Sequence, residues 1–119
     1  MAEAMARQVF PGAVKIGSAG LSPLGYVIEE TLQVLKEIGI ITDGLWSKGF
    51  ADVNLADFPV LVNLTAHSLD SHLPRNAPGR IISFPVADPF AGTVAMYREA
   101  RDSIRRFVTE DLPPQLLSL

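Results

Sequence analysis

The chain has 119 residues and a formal net charge of −3, with 10 Lys or Arg against 13 Asp or Glu. This length suits one domain, which we place over residues 1–119, and the acidic balance argues against a nucleic-acid-binding protein, because such a protein needs a basic stripe. None of the residues is cysteine, which excludes disulfides, thiolate metal sites and thiol redox chemistry within this sequence.

The first third of the chain predicts a head, a strand and a helix. We expect residues 1–10 to be a flexible head, in which residues 8–10 could pair as a short edge strand. Residues 13–16 contain Val and Ile and are closed by a glycine, so they predict a short buried strand. Ser22 is a preferred N-cap residue and a proline follows it. Apolar residues then recur at helical spacing up to a glycine, so residues 22–39 predict a helix.

The remainder of the chain alternates between strand and helix signals. Residues 60–64 and 80–84 predict two further strands, and the segment between them predicts a short helix or loop followed by a turn. A last helix is predicted from its cap Thr93 to Pro113 and Pro114. Such alternation predicts a parallel sheet covered by helices, that is, a three-layer α/β fold with flavodoxin-like winding.

A loop of small residues follows the first predicted strand and precedes the first predicted helix. Free backbone N–H groups and the helix dipole favour an anion at such a place, and small residues let the backbone approach a ligand closely. The alternative is a turn with nothing bound, which many α/β proteins have. The candidate anion-binding residues are Lys15, Gly17, Ser18, Ala19, Gly20 and Ser22.

Other polar and aromatic residues carry weaker signals. His67 and His72 are five residues apart and do not share a helix face, even with Asp70 between them, so we predict no metal site. Ser18 has no histidine placed as its base, which favours a simple turn over a nucleophile. Trp46 is expected to pack in the core or over the pocket, with a contact surface as the alternative.

Five segments in order carry a family resemblance. Residues 15–23 resemble a loop in which a cysteine is followed by five residues and then by Arg, Ser and often Pro. Gly17, Ser22 and Pro23 keep this pattern. Residues 43–48 resemble a Ser-Gly-His-Arg-Ser-Lys segment, and residues 57–62 resemble an Asp-Phe strand entry. Residues 84–89 resemble a segment with an Asp-Pro general acid, and residues 97–106 resemble a final helix. Together they resemble the low-molecular-weight protein tyrosine phosphatase and arsenate reductase family, and its arsenate reductase branch in particular.

This resemblance implies a fold whose usual chemistry is lost. Lys15 stands at the position of the nucleophilic cysteine and Leu21 at that of the phosphate-binding arginine. Thr65 and Leu73 stand at the positions of the two redox cysteines, whereas Asp88 matches the general acid. Groups that act as a unit leave little activity when most are lost. The resemblance therefore implies a degenerate member, a pseudoenzyme that needs no cofactor and binds a small anion or a protein partner.

Lys15 has two interpretations under this resemblance. In one interpretation, Lys15 fills the pocket in which other family members bind an anion, and its ammonium pairs with Asp88. In the other it supplies positive charge, and the loop still binds a phosphate-like anion, although without the two-pronged contact of an arginine. A residual phosphatase, or another enzyme that uses Lys15 and Asp88, is an alternative function, and a purely structural dimer module is another.

The chain is also shorter than the family pattern by about one strand and one loop, so we expect a reduced sheet with an exposed edge. Proteins cover such edges, here either by residues 8–10 folding back or by the same edge of a second subunit, and we expect a homodimer. No apolar run reaches the roughly 18 residues that a membrane span needs, and residues 1–10 lack the apolar core of a secretory signal. We therefore expect a cytoplasmic protein without a membrane partner.

Overall fold

The computed structural model describes residues 1–10, 12, 14–20, 24–69, 73 and 79–117. Short 3-10 turns cover Phe50–Asp52 and Leu55–Asp57. The helices and strands in this part of the chain are α1 (Ala2–Val9), α2 (Glu29–Glu37), β1 (Val60–Asn63), β2 (Arg80–Ser83), α3 (Val94–Arg106) and α4 (Leu112–Leu117). No helix among these residues is long and apolar enough to cross a bilayer.

Strands β1 and β2 form a parallel pair, in which Val60 lies opposite Arg80 and Asn63 lies opposite Ser83. Both strands fall where the sequence predicts them, and their parallel pairing is confirmed. The Phe84 N–H extends the ladder by donating to the Asn63 carbonyl at 2.9 Å. The fold is thus of the predicted α/β class, with a short parallel sheet.

The strand predicted over residues 13–16 is wrong for its described part, because residues 14–16 are irregular. Val14 is 45% exposed, so this segment lacks the burial that a parallel strand needs. Among the described residues, the first main-chain hydrogen bond of this segment is at Gly20, whose N–H donates to the Lys48 carbonyl at 2.7 Å, and Gly20 forms an isolated parallel bridge with Gly49. The described sheet therefore has two strands instead of three.

Helix α1 replaces the flexible head and the alternative edge strand that the sequence predicts for residues 1–10. Ala4 and Met5 are 2% and 1% exposed, because the apolar stripe of α1 packs into the main core. The ring of Phe107, also in this core, stacks on Phe84 at 4.4 Å between centroids. The buried core cluster consists of Ala4, Met5, Leu35, Ile82, Ile104, Phe107, Val108 and Leu112.

Helix α2 begins later than predicted. Its N-cap is Ile28, residues 24–28 are not helical, and the predicted cap Ser22 lies outside the described residues. Gly25 has a φ of +88°, which is incompatible with a right-handed helix and accounts for the late start. The predicted end is confirmed, because Gly39 has a φ of +74° immediately after the last turn.

Helix α3 begins as predicted, since the Thr93 hydroxyl accepts the Met96 N–H at 3.3 Å. The predicted end at Pro113 and Pro114 is wrong. A π turn over Phe107–Asp111 connects α3 to α4 without interrupting the helical backbone, and both prolines lie in the first turn of α4. Proline is tolerated there, because first-turn amides have no partner within their own helix.

Candidate functional site

Lys15, the central residue of the predicted anion site, lies at the surface beside Asp57. Its Nζ is 2.9 Å from the Asp57 carboxylate and 5.3 Å from the centre of the Phe58 ring. This corrects the predicted pairing with Asp88. The two side chains are 63% and 45% exposed, so solvent screens the pair and it contributes little to stability.

The described part of the small-residue loop, Gly17–Gly20, forms no helix or strand, and its main chain contacts the rest of the chain through the isolated bridge at Gly20. The sequence predicts a strand end facing a helix N-terminus, but among the described residues no strand precedes this loop, and α2 begins only at Glu29. A Cβ on Gly17 would lie 3.0 Å from the tip of the Phe58 ring, so a larger residue there would require this ring to shift. Ala19 is half-buried, and Ser22 lies outside the described residues.

The Ser18 hydroxyl belongs to a buried ionic cluster around Glu3. It donates to Glu3 Oε1 at 2.8 Å, and Lys48 Nζ donates to the same oxygen at 2.8 Å. The Glu3 and Lys48 side chains are 2% and 8% exposed. Arg7 lies 3.0 Å from Glu3 Oε2 but is not aligned for a hydrogen bond. This cluster ties α1 to the loop and to residue 48.

The charges of this cluster keep Glu3 ionised. Burial raises the pKa of Glu3, but hydrogen bonds from Lys48 and Ser18 and the charges of Lys48 and Arg7 outweigh burial, so its pKa lies below the ordinary 4.5. Sequence reasoning missed Glu3 and Lys48. The signal was available in the placement of a single acid within the apolar pattern of residues 1–6.

Trp46 does not pack in the core or over a pocket, which corrects the predicted placement. Its side chain is 54% exposed, and its ring centre is 5.1 Å from Lys48 Nζ. The neighbouring Ser47 hydroxyl accepts the Gly25 N–H at 3.1 Å. Trp46 therefore shields the buried cluster on one side and presents its other surface to solvent.

Asp88, the residue that matches the family's general acid, lies in an exposed turn after β2. Its Oδ1 accepts the Phe90 N–H at 3.0 Å, and it lines a cavity of about 250 Å³ together with Met96 and Ser103. Burial, and then the charges of Glu30 and Asp88, raise the pKa of Tyr97. Lys15 and Asp88 thus have different hydrogen-bond partners in the described structure, the Asp57 carboxylate for Lys15 and the Phe90 N–H for Asp88.

The positions implied for the two redox cysteines carry ordinary structural contacts. Thr65 donates its hydroxyl to Asn63 Oδ1 at 2.8 Å, and the Leu73 N–H donates to the Leu69 carbonyl at 3.1 Å. His67 contributes its carbonyl, which accepts Asn63 Nδ2 at 2.8 Å. Within the described ranges no three metal-binding side chains converge, and His72 and Asp70 lie outside those ranges.

The edge of β1 that faces away from β2 lacks a main-chain partner among the described residues, whereas the sequence predicts an exposed edge at the strand of residues 13–16. The bond from Phe84 to Asn63 shows that Leu61 and Asn63 direct their main-chain groups toward β2. In a parallel ladder the alternate residues face the other way, so the amides and carbonyls of Val60 and Val62 point outward. Among the described residues no main-chain partner meets them.

The family model for low molecular weight phosphotyrosine protein phosphatase matches residues 1–112 of the sequence. The chain belongs to this family. Because the match begins at residue 1, it includes α1. No curated protein matches the sequence.

Solved structures agree on the fold. The structure is similar to an arsenate reductase in the reduced state, with 22% identity, a TM-score of 0.78, and coverage of 97% of this chain and 86% of that one. An arsenate reductase in the phosphate binding state has 23% identity, a TM-score of 0.78, and coverage of 96% and 86%. The arsenate reductase from Archaeoglobus fulgidus DSM 4304 has 24% identity, a TM-score of 0.77, and coverage of 93% and 86%.

Proposed function

We propose that this chain is a catalytically degenerate member of the low-molecular-weight phosphatase family that acts by binding in the cytoplasm. The observation that carries the proposal is chemical: none of the 119 residues is cysteine, although the family model matches residues 1–112. The resemblance implies a thiolate nucleophile, and a lysine, a threonine or a leucine cannot replace a thiolate in attack on phosphorus or in a disulfide relay.

A protein partner is the better supported of the two proposed ligand classes. Lys15 already has Asp57 as a counter-ion in an exposed pair, which leaves it little excess charge to attract an anion. The edge of β1, by contrast, has outward main-chain groups with no main-chain partner among the described residues, and another backbone satisfies such groups well. Binding through this edge is therefore our leading function.

Turnover assays test the loss of catalysis. We expect the purified chain to hydrolyse p-nitrophenyl phosphate and to reduce arsenate no faster than buffer, with Asp88→Asn giving the same result. Turnover that disappears in Asp88→Asn would refute the proposal and support the alternative of an enzyme that uses Asp88. Lys15→Ala, assayed alongside, would then establish whether Lys15 belongs to that activity.

A thermal-shift titration with phosphate, arsenate and sulfate tests the anion alternative. At one hundred times its dissociation constant a ligand adds roughly 2.7 kcal/mol to stability, which is readily visible. We expect no anion-dependent rise. A rise that Lys15→Ala abolishes and that Lys36→Ala, an exposed lysine on α2, preserves would establish the loop as an anion site.

A further inference from the structure

We propose that the turn at Asp43 and Gly44 is a site of spontaneous covalent modification, at which Asp43 converts to isoaspartate through a cyclic succinimide. This inference goes beyond the proposed binding function and does not depend on it. Two observations carry it: the free reacting groups of one exposed turn, and the bonded or blocked groups at the other described aspartates.

The turn that carries these residues is held by one main-chain hydrogen bond. It spans residues 42–45, and the Leu45 N–H donates to the Thr42 carbonyl at 3.3 Å. Gly44, at the third position, has a φ of +80°, which a type II turn requires there. The single bond is longer than most N–H···O bonds, so local opening of the turn is easy.

Both reacting groups in this turn are free. Asp43 and Gly44 are exposed. Among the described residues, no group donates to the Asp43 carboxylate and the Gly44 N–H has no acceptor. Glycine also places no Cβ beside its amide nitrogen, so the carboxyl group of the preceding residue can approach that nitrogen closely.

The conversion needs only water. The Gly44 nitrogen attacks Cγ of the protonated Asp43 carboxyl, a carbon–nitrogen bond forms, and the carboxyl hydroxyl leaves with the amide proton as water. A second water molecule then opens the five-membered ring. When it adds to the former main-chain carbonyl, Asp43 stays joined to Gly44 through its side chain and its α-carboxylate becomes free. Nothing is oxidised or reduced, and the mass and net charge of the chain are unchanged.

The other described aspartates lack this combination of free groups. Asp88 precedes a proline, which has no N–H to lose. The amides that follow Asp52 and Asp57 donate to main-chain carbonyls at 3.4 and 3.1 Å. The amides that follow Asp102 and Asp111 lie in helical segments, whose hydrogen bonds hold them away from the side chain. The structure therefore confines the reaction to a single turn among the residues that it describes.

The modified turn should disturb its neighbours, because the isoaspartyl linkage adds one carbon to the main chain between Thr42 and Leu45. Leu45 packs against the main core cluster. Lys48, three residues further along, is the counter-ion of the buried Glu3. A longer turn shifts this segment relative to α1, so we expect the modified chain to be less stable than the original.

Controlled ageing followed by peptide mapping tests the site. The purified chain is incubated at neutral pH and digested with trypsin, isomeric peptides are separated by chromatography, and isoaspartate is identified by electron-transfer fragmentation. We expect isoaspartate in the peptide of residues 37–48, whose only aspartate is Asp43, and none in peptides that contain Asp102. Asp43→Glu keeps the charge but would need a six-membered ring, so it should abolish the isomer. Asp43→Asn forms the same succinimide by losing ammonia and should form the isomer faster.

The same mapping in guanidinium chloride separates the effect of the structure from that of the sequence. Once α3 is unfolded, we expect Asp102 to isomerise as well, while Asp43 continues to react. Ageing should also lower the melting temperature of the unmodified chain more than that of Asp43→Glu.

Two results would overturn the inference. One is an Asp43 that stays intact in the folded chain but converts in the unfolded chain, because the turn would then protect it. The other is equal conversion of Asp43 and Asp102 in the folded chain. Neither result bears on the proposed function, which the turnover assays test separately.

Discussion

At the scale of single residues, Glu3 is a buried polar group that connects α1 to distant parts of the chain. It is an acid buried in an otherwise apolar helix face, and its charge is balanced by Lys48, which is itself only 8% exposed. A buried pair of this kind contributes little over an apolar pair of similar volume, but removing one partner leaves the other charge buried and uncompensated. The cluster therefore makes α1 and residue 48 interdependent.

Replacing Glu3 should be costly for this reason. We expect Glu3→Gln to lower the free energy of unfolding by about 3 kcal/mol, because the Lys48 ammonium then lacks a counter-charge. Urea denaturation measures the change. Glu110→Gln, which neutralises an exposed acid in the π turn, should change stability by less than about 0.5 kcal/mol. Equal losses in the two variants would mean that the Glu3 pair has no special role.

At the scale of elements, the end of α2 depends on one glycine. Gly39 has a φ of +74°, and a Cβ there would meet nothing within 4 Å. The cost of Gly39→Ala is therefore backbone strain alone, which we expect to be about 1 kcal/mol. Gly79→Ala is the control, since its Cβ also meets nothing and its φ is not in the left-handed region. A stability loss at Gly79 as large as that at Gly39 would contradict this explanation.

Helices α2 and α3 are joined by an ion-pair network centred on Glu37. Arg98 contacts both Glu37 oxygens, at distances from 2.7 to 3.2 Å, and Arg101 donates to Glu37 at 2.7 Å and to the Val34 carbonyl at 3.0 Å. The hydrogen bonds from Arg98 are the main cause that lowers the pKa of Glu37 to about 2. The network thus connects the last turn of α2 to the middle of α3.

The pH dependence of stability should report this network. The folded pKa of Glu37 lies below its ordinary value of 4.5, so its contribution is present above pH 4.5 and is lost as the pH falls through about 2. We expect thermal melts of Glu37→Gln to depend less on pH in this window than those of the unmodified chain, and Glu110→Gln to retain the original slope. Added salt should reduce the difference, because the pair is partly exposed. Parallel slopes for all three proteins would refute the assignment.

At the scale of the whole molecule, the sequence predicts the elements that local rules determine and misses those that depend on distant contacts. The strands at Val60 and Arg80 and the cap at Thr93 follow from alternation, β-branched residues and side-chain capping. Helix α1 was missed because its short apolar stripe is stabilised by the core and by Lys48, which is 45 residues from Glu3. The strand predicted before Gly17 was wrong because residues 14–16 have no strand partner among the described residues.

In the candidate site, too, the sequence predicts what local patterns determine and misses what depends on distant contacts. The matching of Lys15 and Asp88 to family positions could be made from the sequence, but the actual partner of Lys15 could not, because Asp57 lies 42 residues away from Lys15 and is brought to it only by the fold. The sequence predicts an open sheet edge, but it places that edge at residues 13–16 and not at β1. The reason is that the sequence does not specify which strand lacks a neighbour. That property belongs to the sheet as a whole.

Amide hydrogen exchange would show whether the outer edge of β1 lacks a neighbouring strand in the isolated protein. The amides of Leu61, Asn63 and Ile82 donate within the ladder, whereas those of Val62 and Ile81 point outward. We expect the outward amides to exchange at least about tenfold faster, so that protection alternates along both strands. Residue-resolved NMR at neutral pH measures it. If Val62 were protected as strongly as Asn63 while Ile81 exchanged rapidly, the β1 edge would already be covered in the free protein, and no acceptor site would exist there.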